Sequence, residues 1–187
     1  MHITNWKKEI WTIPNLLSLF RLALIPVYLT LYLDGEYALS AVILGLSCLT
    51  DLVDGQIARR FNMVTKLGKV LDPLADKLTQ LAMMICLSLR YRVLKYLIVL
   101  FLIKEFFQLF AMLGAMQHGK ALDGALMSGK ISTTVLFVSL IVMVLLPDLP
   151  APLVSAISLV CLVFLLFAFG DYILAYFGKN KKIYDLE

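Results

Sequence analysis

The chain has 187 residues, of which 61% are hydrophobic and 16% are charged, with a formal net charge of +4. Soluble domains are about 45–50% apolar, so the composition excludes an ordinary soluble domain and indicates a polytopic membrane protein. The positive charge does not predict a nucleic-acid partner here, because the basic residues sort by loop as membrane topology requires.

The first segment, 1–12, is too polar for a signal peptide. Its Trp6, Lys7, Lys8 and Trp11 predict a short amphipathic helix that lies at the membrane interface. Six apolar spans follow, each near the roughly 20 residues that a membrane-crossing helix needs. They are predicted at 14–33, 37–59, 68–89, 93–117, 128–146 and 151–177.

We therefore predict an all-α polytopic protein in three parts. These are the interfacial helix at 1–12, a transmembrane domain of six helices at 13–178, and a cytoplasmic tail at 179–187. Most basic residues of the connecting segments fall on the side that holds both termini, whereas Arg90, Arg92 and Lys95 fall on the other. The positive-inside rule then places both termini in the cytoplasm. The short chain, without an Arg- and Ser-rich leader, predicts a bacterial cytoplasmic membrane.

Four aspartates stand in or beside the second and third spans, namely Asp51, Asp54, Asp72 and Asp76. A charged residue at membrane depth costs about 2.5–3.5 kcal/mol on insertion scales, so these acids need compensating cations. Their spacings of three and four place each pair on one helix face, and the short loop 60–67 lets the two helices fold back together. Carboxylates suit hard cations, so we expect one or two Mg²⁺ (or Mn²⁺) ions.

Small and basic residues accompany the acids. Gly55 and Ala58 lie on the face of the first two aspartates and leave space for a base or a ribose near the helix backbone. Arg59 follows at the membrane surface, where it can contact a diphosphate with two nitrogens. A helix could start at Asp72 with Pro73 in its first turn; if it begins near Gly68 instead, Pro73 should kink it. The alternative to a metal site is that the acids only pair with nearby basic side chains.

The complete pattern, from Asp51 to Asp76, is D-x2-D-G-x2-A-R-x8-G-x3-D-x3-D. It resembles the signature of the CDP-alcohol phosphatidyltransferase family without a gap or a substitution. The resemblance implies that Asp51, Asp54 and Asp72 are metal ligands and that Asp76 is the general base and a further ligand. It also implies a set of nucleotide-binding residues, which are Asp51, Asp54, Gly55, Ala58, Arg59, Gly68 and Asp72.

The reaction that the resemblance implies is attack by an alcohol hydroxyl on the diacylglycerol-bearing phosphorus of CDP-diacylglycerol, with CMP leaving. No covalent enzyme intermediate is required. The resemblance further implies a homodimer. The orientation from the positive-inside rule predicts that the aspartate site, in a protein surrounded by membrane lipid, opens to the cytoplasm at the ends of the second and third spans.

The motif leaves the acceptor alcohol open. Segments 11–21 and 71–77 resemble the branch that contains phosphatidylglycerophosphate synthases and CMP-forming cardiolipin synthases. Two basic positions typical of the former are Met112 and Ser132 here. Glycerol 3-phosphate carries nearly two charges and should need those cations, so we predict phosphatidylglycerol as acceptor, with glycerol 3-phosphate as the alternative.

Three further cations are candidates to bind the acceptor phosphate, namely Lys104, Lys130 and Arg21. Each has a simpler interpretation: Lys104 can pair with Glu105, Lys130 can extend to the lipid headgroups, and Arg21 can do the same or pair with an aspartate. An inositol-phosphate, serine or aminoalcohol acceptor is a further option within the family. Outside it, a transporter would more often show inverted repeats, and a scaffold without catalysis should have lost motif aspartates.

Overall fold

The computed structural model describes residues 12–60, 65, 67–117, 120–122, 127–177 and 183–185. The side chains at 52, 54–59, 69, 112–117, 120–122, 177 and 183–185 lie outside this description. The predicted interfacial helix at 1–12 therefore falls almost entirely outside the described residues, and so does most of the tail.

Six helices follow one another along the described chain. They are α1 (Ile13–Leu33), α2 (Tyr37–Arg60), α3 (Gly68–Arg90), α4 (Leu94–Gln117), α5 (Met127–Leu145) and α6 (Ala151–Phe177). The six predicted spans are thus confirmed as helices, each end within one residue of its expected position. Among the described residues, α1, α5 and α6 are long and apolar enough to cross a membrane, and the apolar part of α2 is the shorter Tyr37–Asp51. Six complete crossings remain a prediction.

The chain divides into two compact units, and the boundary falls inside α3. The first unit is Met1–Cys86 and the second is Leu87–Glu187. In the first, α1 packs along α2; in the second, α5 and α4 both pack against α6. Helices pack through one face each, and α1 shows this clearly, because its buried residues recur every three or four positions.

A short antiparallel ladder departs from the all-α expectation. Strand β1 (Lys120–Leu122) pairs with strand β2 (Ile183–Asp185), with Ala121 opposite Tyr184. Three-residue strands are too short to give a periodic signal in a sequence, and these two pair across about 60 residues of chain. The ladder lies within the second unit.

Helix α3 begins at Gly68 and not at Asp72, so Pro73 lies inside the helix. The alternative start at Asp72 with Pro73 is therefore wrong. A proline inside a helix leaves the carbonyl four residues earlier without its usual donor, and the kink that we expect there remains a prediction.

Candidate active site

Helix α1 buries a stripe that is polar at its start and apolar further on. The buried residues are Pro14, Asn15, Ser18, Arg21, Leu24, Tyr28 and Tyr32. Asn15, Ser18 and Arg21 are exposed by only 1%, 0% and 2%. Buried polar groups need hydrogen-bond partners, and each of these three finds one outside α1, in α2, α3 or the segment between them.

Arg21 joins the two motif helices of the first unit. Its Nη1 lies 2.6 Å from Oδ1 of Asp51 in α2 and 2.5 Å from Oδ1 of Asp76 in α3. Because one nitrogen contacts both atoms, the two carboxylate oxygens are within about 5 Å of each other. The arginine is buried, whereas the aspartates are 44% and 46% exposed, so both acids are accessible on the side away from Arg21.

Ser18 makes the corresponding contact to the third described acid. Its hydroxyl lies 2.5 Å from Oδ1 of Asp72 in α3, and 3.0 Å from the carbonyl oxygen of Pro14 one turn earlier in α1. Asp72 is the stronger acceptor, because a carboxylate hydrogen bond is charge-assisted. All three motif acids whose side chains are described therefore contact a side chain of α1.

Asn15 anchors the start of α3. Its Nδ2 donates to Oγ1 of Thr65 at 2.9 Å, and that hydroxyl lies 3.1 Å from Oδ1 of Asn15, where it can donate in return. The backbone N–H of Gly68 also donates to Oγ1 of Thr65, at 2.9 Å. A Cβ at Gly68 would lie 2.7 Å from Oδ1 of Asn15, which is too close for a side chain. Gly68 thus has a packing role, and the predicted nucleotide contact at this position remains a prediction.

The other motif positions lie at 54–59 in α2, and at these positions the structure describes the backbone alone. The side chains of Asp54, Ala58 and Arg59, and the surroundings of Gly55, are outside the description. Their predicted metal and nucleotide contacts remain predictions.

The acids fit a hard divalent cation by their chemistry. Carboxylate oxygens are the ligands that Mg²⁺ and Mn²⁺ prefer, and Asp51 and Asp76 present theirs on a half-exposed surface. Among the residues that the structure describes, however, no three acids, histidines or cysteines are grouped so as to hold a metal ion. The described acids contact Arg21 and Ser18 through their Oδ1 atoms.

A second buried cation lies in the second unit. Lys104 in α4 is 2% exposed, its Nζ donates to Oε1 of Glu105 at 2.7 Å, and it lies 5.9 Å from the centre of the Tyr172 ring. The pair with Glu105, which the sequence left as the simpler interpretation, is present. The predicted contact of Lys104 with an acceptor phosphate is untested, and so is that of Lys130, which is exposed at the start of α5.

The ends of α5 and α6 meet beside this cation. The Ser128 hydroxyl donates to Oδ2 of Asp171 at 2.5 Å, which gives Asp171 the partner that the sequence did not predict. A Cβ at Gly129 would lie 2.6 Å from Oη of Tyr172, so the tyrosine packs directly against the α5 backbone. The sequence could not show these contacts, because their partners are more than 40 residues apart.

The polar start of α1 was also missed, although its signal is in the sequence. Asn15, Ser18 and Arg21 recur at intervals of three in a largely apolar helix, which places them on one face. For Arg21 the sequence leaves two interpretations, an acceptor ligand or a partner of an aspartate. The structure places it on two motif aspartates, and the acceptor contact stays untested.

Comparison with known proteins gives a consistent set of relatives. The family model for CDP-alcohol phosphatidyltransferases matches residues 11–171. A cardiolipin synthase (CMP-forming) of Streptomyces coelicolor is 36% identical over 118 residues, which is 59% of this chain and 54% of the relative. A CDP-diacylglycerol–glycerol-3-phosphate 3-phosphatidyltransferase of Rickettsia bellii is 49% identical over 69 residues, 35% of this chain and 38% of the relative.

A cardiolipin synthase (CMP-forming) of Rattus norvegicus is 46% identical over 82 residues, 43% of this chain and 26% of the relative. The chain thus spans about half, or less, of the length of the curated relatives it matches. Relatives of both names match, so similarity alone does not choose between them.

Proposed function

This chain belongs to the CDP-alcohol phosphatidyltransferase family, and we propose that it transfers a phosphatidyl group from CDP-diacylglycerol to the hydroxyl of a glycerol-type acceptor, with release of CMP. The observation that carries the proposal is the match over 11–171, which contains every position of the aspartate motif. The contacts of Arg21 with both Asp51 and Asp76 support it, because they draw acids of α2 and α3 toward one point.

In the proposed reaction, the acceptor oxygen bonds to the diacylglycerol-bearing phosphorus, and the bond from that phosphorus to CMP breaks. Asp76 takes the proton of the acceptor hydroxyl, and its half-exposed carboxylate is accessible for this purpose. Arg59 binds the diphosphate of the donor. Asp51, Asp54 and Asp72, with Asp76, would hold one or two Mg²⁺ or Mn²⁺ ions, which neutralise charge on the reacting phosphates. Gly55 and Ala58 leave space for the cytidine nucleotide.

For the acceptor we propose phosphatidylglycerol, which would make the chain a cardiolipin synthase. Met112 and Ser132 stand where a dianionic glycerol 3-phosphate should need cations. The charge of Lys104 is also balanced by Glu105. A lysine that is already paired suits the single negative charge of a phosphodiester better than the nearly two charges of a phosphomonoester. Lys104 and Lys130 remain the proposed acceptor contacts. Glycerol 3-phosphate is the second candidate acceptor, because the relative from Rickettsia bellii is named for that acceptor.

The remaining parts of the proposal concern the setting of the enzyme. We place the chain in a bacterial cytoplasmic membrane with six crossings, with both termini and the substrate site on the cytoplasmic side, and we expect a homodimer. The apolar helices α1, α5 and α6 support insertion in a membrane, and the basic connecting segments support the orientation.

CMP release by the purified protein tests the proposal. CDP-diacylglycerol and Mg²⁺ are supplied with phosphatidylglycerol or with glycerol 3-phosphate in parallel reactions, and Asp54→Asn serves as the inactive variant. We expect release with phosphatidylglycerol, and its loss in Asp54→Asn because a metal ligand is removed. Release with glycerol 3-phosphate alone would overturn the acceptor assignment, and full activity of Asp54→Asn would overturn the metal assignment.

A further inference from the structure

Arg21 occupies carboxylate oxygens that a metal ion would also use. Its Nη1 contacts Oδ1 of Asp51 at 2.6 Å and Oδ1 of Asp76 at 2.5 Å, and the arginine itself is 2% exposed. The guanidinium charge is permanent at any physiological pH. Two of the proposed metal ligands are therefore already neutralised in part by a side chain that lies outside the aspartate motif.

A divalent cation and Arg21 would compete for these acids. Mg²⁺ binds carboxylate oxygens at about 2.0–2.1 Å, so an ion on the Oδ1 atoms would lie close to the guanidinium nitrogen that contacts the same atoms. The two positive charges repel each other, and a partly buried site screens that repulsion less than water does. To bind a metal through those oxygens, an aspartate must exchange its contact with Arg21 for the ion.

We propose that Arg21 is an internal counterion that competes with the divalent cation for Asp51 and Asp76, and thereby sets the metal concentration that the site requires. The proposal rests on the metal-dependent transfer proposed above. The position of Arg21 on α1 suits this role. Arg21 is buried and therefore held in place, whereas the two aspartates are half-exposed and can turn toward their open side. Ser18, which contacts Asp72, is uncharged and adds no repulsion of this kind.

The test measures metal binding without any lipid substrate. Mn²⁺ is titrated into purified wild-type protein, Arg21→Gln and Arg21→Lys, and free Mn²⁺ is counted by electron paramagnetic resonance. Arg90→Gln is the matched control, because Arg90 is a half-exposed arginine paired with Asp148 in the second unit. We expect Arg21→Gln to bind Mn²⁺ about tenfold more tightly, since one nearby positive charge is removed. Arg21→Lys keeps the charge and should stay near wild type, as should Arg90→Gln.

Unchanged or weaker Mn²⁺ binding by Arg21→Gln would overturn the proposal and make Arg21 an organiser of the acids. If Arg21→Gln does not fold, the wild-type protein still provides a test. The nitrogen-15 signal of the Arg21 guanidinium, assigned with Arg21→Lys, should shift as Mg²⁺ saturates the protein. A signal that does not move at saturation contradicts the competition.

The two proposals fail separately. A wild-type protein that binds Mn²⁺ and shows the Arg21 effect, but releases no CMP with either acceptor, would contradict the proposed transfer and leave the counterion intact. Mg²⁺-dependent CMP release together with unchanged Mn²⁺ affinity in Arg21→Gln would support the proposed transfer and contradict the role of Arg21 as a counterion.

Discussion

Among the residues whose side chains the structure describes, two cations are buried, one in each unit, and they are held in different ways. Arg21 contacts acids that lie 30 and 55 residues further along the chain, on two other helices. Lys104 contacts Glu105, its neighbour in the same helix, and the ring of Tyr172 in α6. The first arrangement ties three helices together through charge, whereas the second balances a charge locally and ties helices through ring packing.

The difference indicates which buried charge has its position fixed by its partners. Removing one partner of a buried pair leaves an uncompensated charge and is strongly destabilising. The described contacts give Arg21 carboxylate partners on two other helices and Lys104 a carboxylate partner in its own helix, so we expect the loss of Arg21 to disturb the packing of more helices. This difference can be tested by substitutions in each unit.

The largest effect is expected for Asp76→Asn. The substitution keeps the size of the side chain but removes the proposed proton acceptor, so kcat for CMP release should fall by about 10²–10⁴-fold. Asp148→Asn is the matched control, because Asp148 is an almost fully exposed acid paired with Arg90 in the second unit. Steady-state CMP release measures both variants. An Asp76→Asn variant as active as Asp148→Asn would contradict the role of Asp76.

A stability comparison of Arg21→Met and Lys104→Met should show the next largest effect. We expect Arg21→Met to lower the free energy of unfolding by about 2–4 kcal/mol without added metal, because two acids lose their shared partner. Lys104→Met should cost about 1–2 kcal/mol, since the ion pair that is lost lies within one helix and methionine fills the same space. Chemical denaturation in one detergent measures both. Equal decreases in the free energy of unfolding would mean that the two cations contribute equally to stability.

Effects comparable with that of Lys104→Met are expected where a glycine allows close packing near each cation. Gly68→Ala should cost about 1–3 kcal/mol, because its Cβ would displace Asn15 from Thr65. Gly129→Ala should cost a similar amount by displacing Tyr172. The matched control in the first unit is Gly45→Ala in α2, which meets nothing within 4 Å and should stabilise by about 0.5–1 kcal/mol.

Thermal unfolding of these three variants ranks their stabilities. The double variant Asn15→Ala with Gly68→Ala should cost less than the sum of the single changes, because the obstructing side chain is gone. Additive costs would mean that Gly68 does not act through Asn15.

The helices could be predicted closely from the sequence, and parts of the site could not. Twenty-residue apolar spans and their connectors are local signals, so α1 to α6 appeared at the expected positions. The aspartates are also a local signal, and their charge at membrane depth marked them as functional. The partners of those acids depend on how α1 packs, and the three polar residues at the start of α1 do not by themselves indicate which helix they face. The ladder of β1 and β2 was missed for a similar reason, because its pairing joins distant and very short segments.

The most direct measurement is the identity of the lipid formed by the purified protein. CDP-diacylglycerol and Mg²⁺ are supplied together with equal concentrations of phosphatidylglycerol and glycerol 3-phosphate, and the products are identified by mass spectrometry. We predict that cardiolipin forms and that its formation requires Mg²⁺. The absence of any new phospholipid from either acceptor, with folded protein in the reaction, would contradict it.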